Sequence, residues 1–350
     1  MIIPEKFKNG CARVGFALIL IFLFRIITDF ASERVMLALY DLMIDPAEEI
    51  PDLTLISFIT QLVSILILYG GCMLATVWAL DFKKGDLNGL YKKPQRLGKA
   101  VSWAVPCYGA GQAINLIVIT LSFTVFSDIN ALQNGYSPLI SSGTSNGVLS
   151  MIFMVFQMSI MAPILEELWF RGIIQTKLSD CGHGFAIMAS ALCFALAHGN
   201  IQQFCYTFVM GIFLGYVRYA SGSLVPTTIM HMIINSVASI VLVMVSNDTF
   251  ISAMTKTRMG IPLDDGESAL MTAVGVYIII IIIMMIVGIF AAFGKLKSRR
   301  LYRPVNNYPA LTKGQKLGAL LKAPEFLVGI ILCVVYMTGL WSWLIFQLLG

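Results

Sequence analysis

Charge is what this chain has least of. Asp, Glu, Lys and Arg make up 12% of its 350 residues, against 58% hydrophobic residues. A soluble globular domain carries about 25% charge, so this deficit, with a mean hydropathy of +0.82, excludes a soluble fold. Histidine is scarcer still, at three residues (His183, His198 and His231). No CxxC pair occurs among the seven cysteines, which lie scattered, mostly in apolar runs, and read as buried thiols. HExxH, the helical arrangement of the familiar zinc proteases, is absent as well. No internal repeat or low-complexity tract is visible, which weakens a transporter reading. The net charge of +5 is confined to a few loops, a pattern of membrane orientation rather than nucleic-acid binding.

What is present is long apolar runs. About nine of them approach the roughly 20 residues that cross a hydrocarbon core: 14–32, 53–81, 99–126, 148–165, 184–198, 201–220, 223–246, 269–294 and 325–349. Only helices and closed barrels cross lipid, and these runs are too long and too continuously apolar for barrel strands. The expected fold is an all-α polytopic bundle of about nine transmembrane helices around a buried polar cavity. It divides into N-terminal helices (1–147), a central core (148–246) and C-terminal helices (247–350). Arg25 and Asp29 interrupt the first run, which favours a retained span over a cleaved signal. Lys and Arg crowd the start, the 83–99 loop, the ends of the fourth and sixth runs, and the 295–322 loop. If every run crosses once, all of these share one side. The positive-inside rule then gives a cytoplasmic N-terminus and an external C-terminus.

The candidate chemistry lies in the central core. Glu166 and Glu167 sit at the end of an apolar run, after Pro163, and Arg171 follows four residues later. A charge at mid-bilayer costs roughly 2.5–3.5 kcal/mol on the lenient insertion scale, so a doubled one points to function. Glu167 and Arg171 are an i,i+4 pair. Glu166 projects about 100° away and is left as the free carboxylate. Two later runs carry Phe194-x-x-x-His198 and His231-x-x-x-Asn235, each pair one turn apart. Taken singly, these admit plain readings: a helix end surfacing at the interface, or a satisfied core histidine. Gly211-x-x-x-Gly215 reads as close helix packing. Gly143-Thr144-Ser145-Asn146-Gly147 matches GxSxG but lies in a polar loop, where a turn is the better reading.

Joined in order on three helices, Glu-Glu-x-x-x-Arg, Phe-x-x-x-His and His-x-x-x-Asn resemble the CPBP family of intramembrane proteases, which includes the CAAX-processing endopeptidases and the bacterial Abi proteins. The resemblance covers roughly 148–246. It implies an intramembrane endopeptidase in which Glu166 and His198 activate water. His231 and Asn235 stabilise the oxyanion, and Glu167, Arg171 and Phe194 support them. It further implies a peptide or membrane-associated protein as substrate, the bilayer as setting, no nucleic-acid partner, and no cofactor. A zinc ion on Glu166, His198 and His231 is the mechanistic rival. A non-catalytic scaffold or bacteriocin-immunity protein is the functional one. The expected site lies in a water-holding cavity open toward the basic, cytoplasmic side, in a setting such as a bacterial cell membrane.

Overall fold

The computed structural model describes residues 3–43, 54–94, 96–125, 148–245, 248–297 and 302–340, and the described residues fold as helices joined by short turns. The helices are α1 (Glu5–Met43), α2 (Leu55–Ala79), α3 (Leu97–Leu121), α4 (Met151–Cys181), α5 (His183–Ala197), α6 (Ile201–Ser221), α7 (Val225–Val245), α8 (Asp248–Met259), α9 (Asp265–Lys295), α10 (Lys313–Leu321) and α11 (Pro324–Met337). Six of them are long and apolar enough to cross a membrane: α1, α2, α3, α4, α7 and α9. The bent pair α10–α11 makes a seventh if it forms one span.

The nine expected runs are helical wherever they are described, but they are not nine equivalent spans. The fifth gives α5, an apolar helix of only 15 residues. The sixth gives α6, whose Gln202, Gln203 and Arg218 dilute its hydropathy. The ninth is described only as far as residue 340. Two expected loops are also partly helical. Helix α1 continues past Glu33, Arg34 and Asp41 to Met43, because its charges fall where they are not buried. The 247–267 stretch contains α8. The Gly143–Gly147 turn lies outside the described residues. The 73° bend between α10 and α11 has a local cause: Pro324 forces Ala323 into an extended conformation (φ −78°, ψ 116°) and cannot continue the preceding helix.

Helix α1 packs along α11 and α5, α5 packs on α6, α6 on α3, α3 on α9, and α7 on α4. Small residues set the closest approaches. A Cβ on Gly109 would meet the Gly288 Cα at 2.5 Å, and one on Gly15 would meet the Glu325 carbonyl carbon at 2.2 Å. The Gly211 and Gly215 pair behaves as its spacing predicts. Gly211 sits against Ala191 of α5, and Gly215 against Ile187 of α5 and the Gln175 amide of α4.

Contacts also gather the basic segments at one end of the bundle. Lys6 pairs with Asp180 at 3.1 Å, and Lys177 with Asp86 at 2.9 Å. Lys295 reaches Ser102, and His183 bonds Tyr302. The Leu224 N–H donates to the Leu90 carbonyl. The starts of α1, α3, α5 and α7 therefore meet the ends of α2, α4, α6 and α9.

The α3–α9 crossing gives a direct test. Gly109→Ala should cost about 1–3 kcal/mol by overpacking, lowering the melting point in detergent. Gly111→Ala, where an added Cβ meets nothing within 4 Å, should leave it unchanged or higher. A thiol-reactive dye reads both, since Cys11, Cys72, Cys107, Cys181, Cys193 and Cys333 are free and buried.

Candidate active site

The site begins with a backbone irregularity. Pro163 has no N–H to give, and just before it α4 adopts a π turn over Gln157–Met161, in which the Ala162 N–H bonds the Gln157 carbonyl. In that register the Met158 carbonyl would need the missing N–H of Pro163. The Asn235 Nδ2 of α7 donates to it instead, at 3.0 Å. One turn along α7, the buried Ser239 hydroxyl meets Ser159 of α4 at 2.8 Å. Polar contacts thus fix α7 against the irregular stretch of α4.

A second π segment, Glu167–Ile174, follows after one α-helical turn, Ala162–Glu166. The helix does not end at the glutamates, as the apolar run suggested. It continues to Cys181, and both Glu167 and Arg171 are fully buried within it. Arg171 Nη1 lies 3.0 Å from Glu167 Oε1, close but not aligned as a hydrogen bond, since the guanidinium nitrogens lack hydrogen-bond partners. The guanidinium also lies over the Phe194 ring, 4.3 Å from its centroid, a cation–π contact that strengthens when water is excluded. Phe194 in turn meets His198, His231 and Phe170 in edge-to-face contacts, at 4.8, 5.6 and 5.3 Å between centroids.

His231 stands between the two carboxylates. Its Nδ1 lies 3.0 Å from Glu167 Oε1, and its Nε2 lies 3.4 Å from Glu166 Oε2. Both neighbours accept, so a doubly protonated ring serves both and a neutral ring only one. The other oxygen of Glu166 accepts a hydrogen bond from the Tyr69 hydroxyl at 2.5 Å. Tyr69 comes from a third π segment, Leu66–Gly71 of α2. His198 Nδ1 lies 2.8 Å from the Phe194 carbonyl. A carbonyl only accepts, so the proton is on Nδ1, leaving the Nε2 lone pair free to accept. The His198 carbonyl is held from α1 by the Arg25 guanidinium, which also lies over the Tyr336 ring.

Glu166, His198, Tyr69 and Asn235 line one cavity of about 780 Å³. Much of its wall is apolar, from Ile65, Ile119, Met161, Val241 and Leu242 among others. His231, Glu167, Arg171 and Phe194 lie behind that wall rather than on it. The cavity does not extend toward the basic end, as the sequence suggested. It is lined by the middle of α2, the second halves of α3 and α7, the first halves of α4 and α6, and Ile281 at the middle of α9, so it runs from mid-bundle into the half opposite the basic end. Glu166 itself lies roughly 20 Å along α4 from its basic Cys181 end, at about 1.5 Å per residue.

The residues singled out from the sequence therefore fall into one connected group. Two partners of that group carried no chemical signal in the sequence: Tyr69, an aromatic in an apolar run, and Arg25, visible only as a charge interrupting the first run. Glu166, His198 and His231 do not meet as a metal-binding set, and among the described residues no group of three His, Cys, Asp or Glu side chains could hold a metal ion.

Residues 148–237 match the family described as type II CAAX prenyl endopeptidase Rce1-like. This match supports the CPBP/CAAX protease family that the motifs resemble. Neither the curated proteins nor the solved structures yield a similar chain. Tyr69 and Arg25 lie outside the matched segment.

The buried ion pair predicts an asymmetric mutational response. Arg171→Met leaves the buried Glu167 without its guanidinium partner and should cost about 3–5 kcal/mol. Adding Glu167→Leu should recover more than half of that loss. A double-mutant cycle on unfolding in detergent measures both.

Proposed function

We propose that this chain is an intramembrane endopeptidase in which Glu166 is the base. The observation that carries this reading is the placing of one carboxylate, held on two sides by Tyr69 and His231, on the wall of a cavity it shares with the free nitrogen of His198. The match of residues 148–237 to the Rce1-like family supports protease activity of the CAAX type in general.

In the proposed reaction a water molecule sits between Glu166 and His198 Nε2. Glu166 takes its proton as the water oxygen bonds to the substrate carbonyl carbon. The resulting oxyanion needs a donor. Asn235 has one amide hydrogen on the Met158 carbonyl and a second to give, and it lines the cavity. Collapse breaks the C–N bond, and Glu166 returns its proton to the leaving nitrogen. The family resemblance makes His231 a second oxyanion donor. Its position behind Glu166 favours a role through that carboxylate, fixing its rotamer. Glu167 and Arg171 hold His231 in turn. No step is assigned to a metal.

Glu166→Gln and His198→Ala should each reduce cleavage of a peptide library by at least about 10²-fold, with melting points near wild type. A strong chelator should leave the wild-type rate unchanged. Full activity in both variants would sink the proposal, and loss of activity on chelation would replace the glutamate mechanism with a metal one.

The cavity's position also bears on access. With the basic end on the cytoplasmic side, the cavity half faces outward. Cysteine placed at Ile119 should then be labelled by a membrane-impermeant thiol reagent added to the outside of intact cells. Labelling only after the inner face is exposed would reverse the assignment.

A further inference from the structure

The cavity carries more recognition chemistry than the hydrolysis uses. Besides Asn235 and Gln202, its wall includes four further side-chain amides: Gln112 and Asn115 from α3, Gln157 from the π turn of α4, and Gln203 from the first turn of α6. Among the described residues, none of these four amide groups makes a hydrogen bond. No Lys or Arg lines the cavity among the described residues, and Glu166 is its one acidic side chain.

This is an unusual combination. A polar side chain in an apolar wall costs free energy unless something satisfies it, and four from three helices face one space. A carboxamide offers both a donor and an acceptor, the same pair that each peptide unit offers. A peptide bond becomes accessible to attack only when its helix is unwound, and in an apolar setting each freed N–H and C=O then needs a partner. Carboxamides meet that need without regard to side-chain identity. The missing cation matters equally. A free C-terminal carboxylate would enter beside Glu166 with no positive group to hold it.

We infer that the cavity binds an uncharged, apolar, internal peptide segment in unwound form, its backbone held by Gln112, Asn115, Gln157 and Gln203, rather than a chain end held by its carboxylate. This rests on the protease reading for its purpose but not for its test, which is a binding measurement.

The probe is a dansylated leucine/alanine/glycine peptide in two forms, one ending in an amide and the other in a free carboxylate. Each is titrated into the full-length Glu166→Gln protein in detergent. The amide form should bind at least as tightly as the acid form. Gln112→Leu and Asn115→Leu, each added to the Glu166→Gln background, should weaken its binding by about 10-fold. The melting points of these proteins, measured alongside, confirm that the bundle is intact. Gln112→Asn keeps the amide group and should lose less affinity than Gln112→Leu. Tighter binding of the acid form by about 10-fold or more, or unchanged affinity in both leucine variants, overturns the inference. If the peptide binds as expected but wild-type protein never cuts it, the protease reading fails and the recognition reading stands.

Discussion

A buried carboxylate pairs with a buried guanidinium and also meets an imidazole, and the site depends on that carboxylate. Taking Glu167 and Arg171 out of water is costly, and their attraction offsets that cost only where geometry is good. Here the offset is spread over three partners: the ion pair itself, the Phe194 ring beneath the guanidinium, and His231 on the carboxylate. Well-packed apolar residues can often replace such a group without loss of stability. What they cannot supply is a rigid, charged support for a ring that reaches the next carboxylate. Through His231, the pair on α4 determines where Glu166 points.

The backbone makes this possible by departing from the α-helix three times. Short π segments are frequent at functional sites because they shift the hydrogen-bond ladder and re-aim the side chains that follow. Tyr69 lies within one, Glu167 and Arg171 within another, and the third exposes the Met158 carbonyl that Asn235 holds. A regular α4 would offer Asn235 no free carbonyl. The irregularity near Pro163 thus couples α7 to α4 just where the two helices share the cavity.

The two ends of the bundle differ in character. One collects the basic segments, joined by ion pairs and hydrogen bonds between helix ends. The other half holds the cavity, with apolar walls, side-chain amides and Glu166. Charge sets orientation at the first end, and desolvation sets chemistry at the second. The separation keeps the cations of the loops away from the Glu166 carboxylate.

Much of this was legible without coordinates, and the legible part is local. Long apolar runs require helices, because lipid leaves backbone groups no other partner. The i,i+4 spacing of Glu167 and Arg171 required their contact, and Gly211-x-x-x-Gly215 required close packing. The tertiary structure alone decided that His231 bridges both carboxylates, that Tyr69 and Arg25 complete the group, and which half of the bundle holds the cavity. The same holds for α1 running on to Met43 and for α4 continuing past Glu167. Spacing along one helix is fixed by its period. Contacts between helices depend on rotation and crossing point, set here by glycine contacts such as Gly109 with Gly288 and by π turns whose register no periodic pattern reveals.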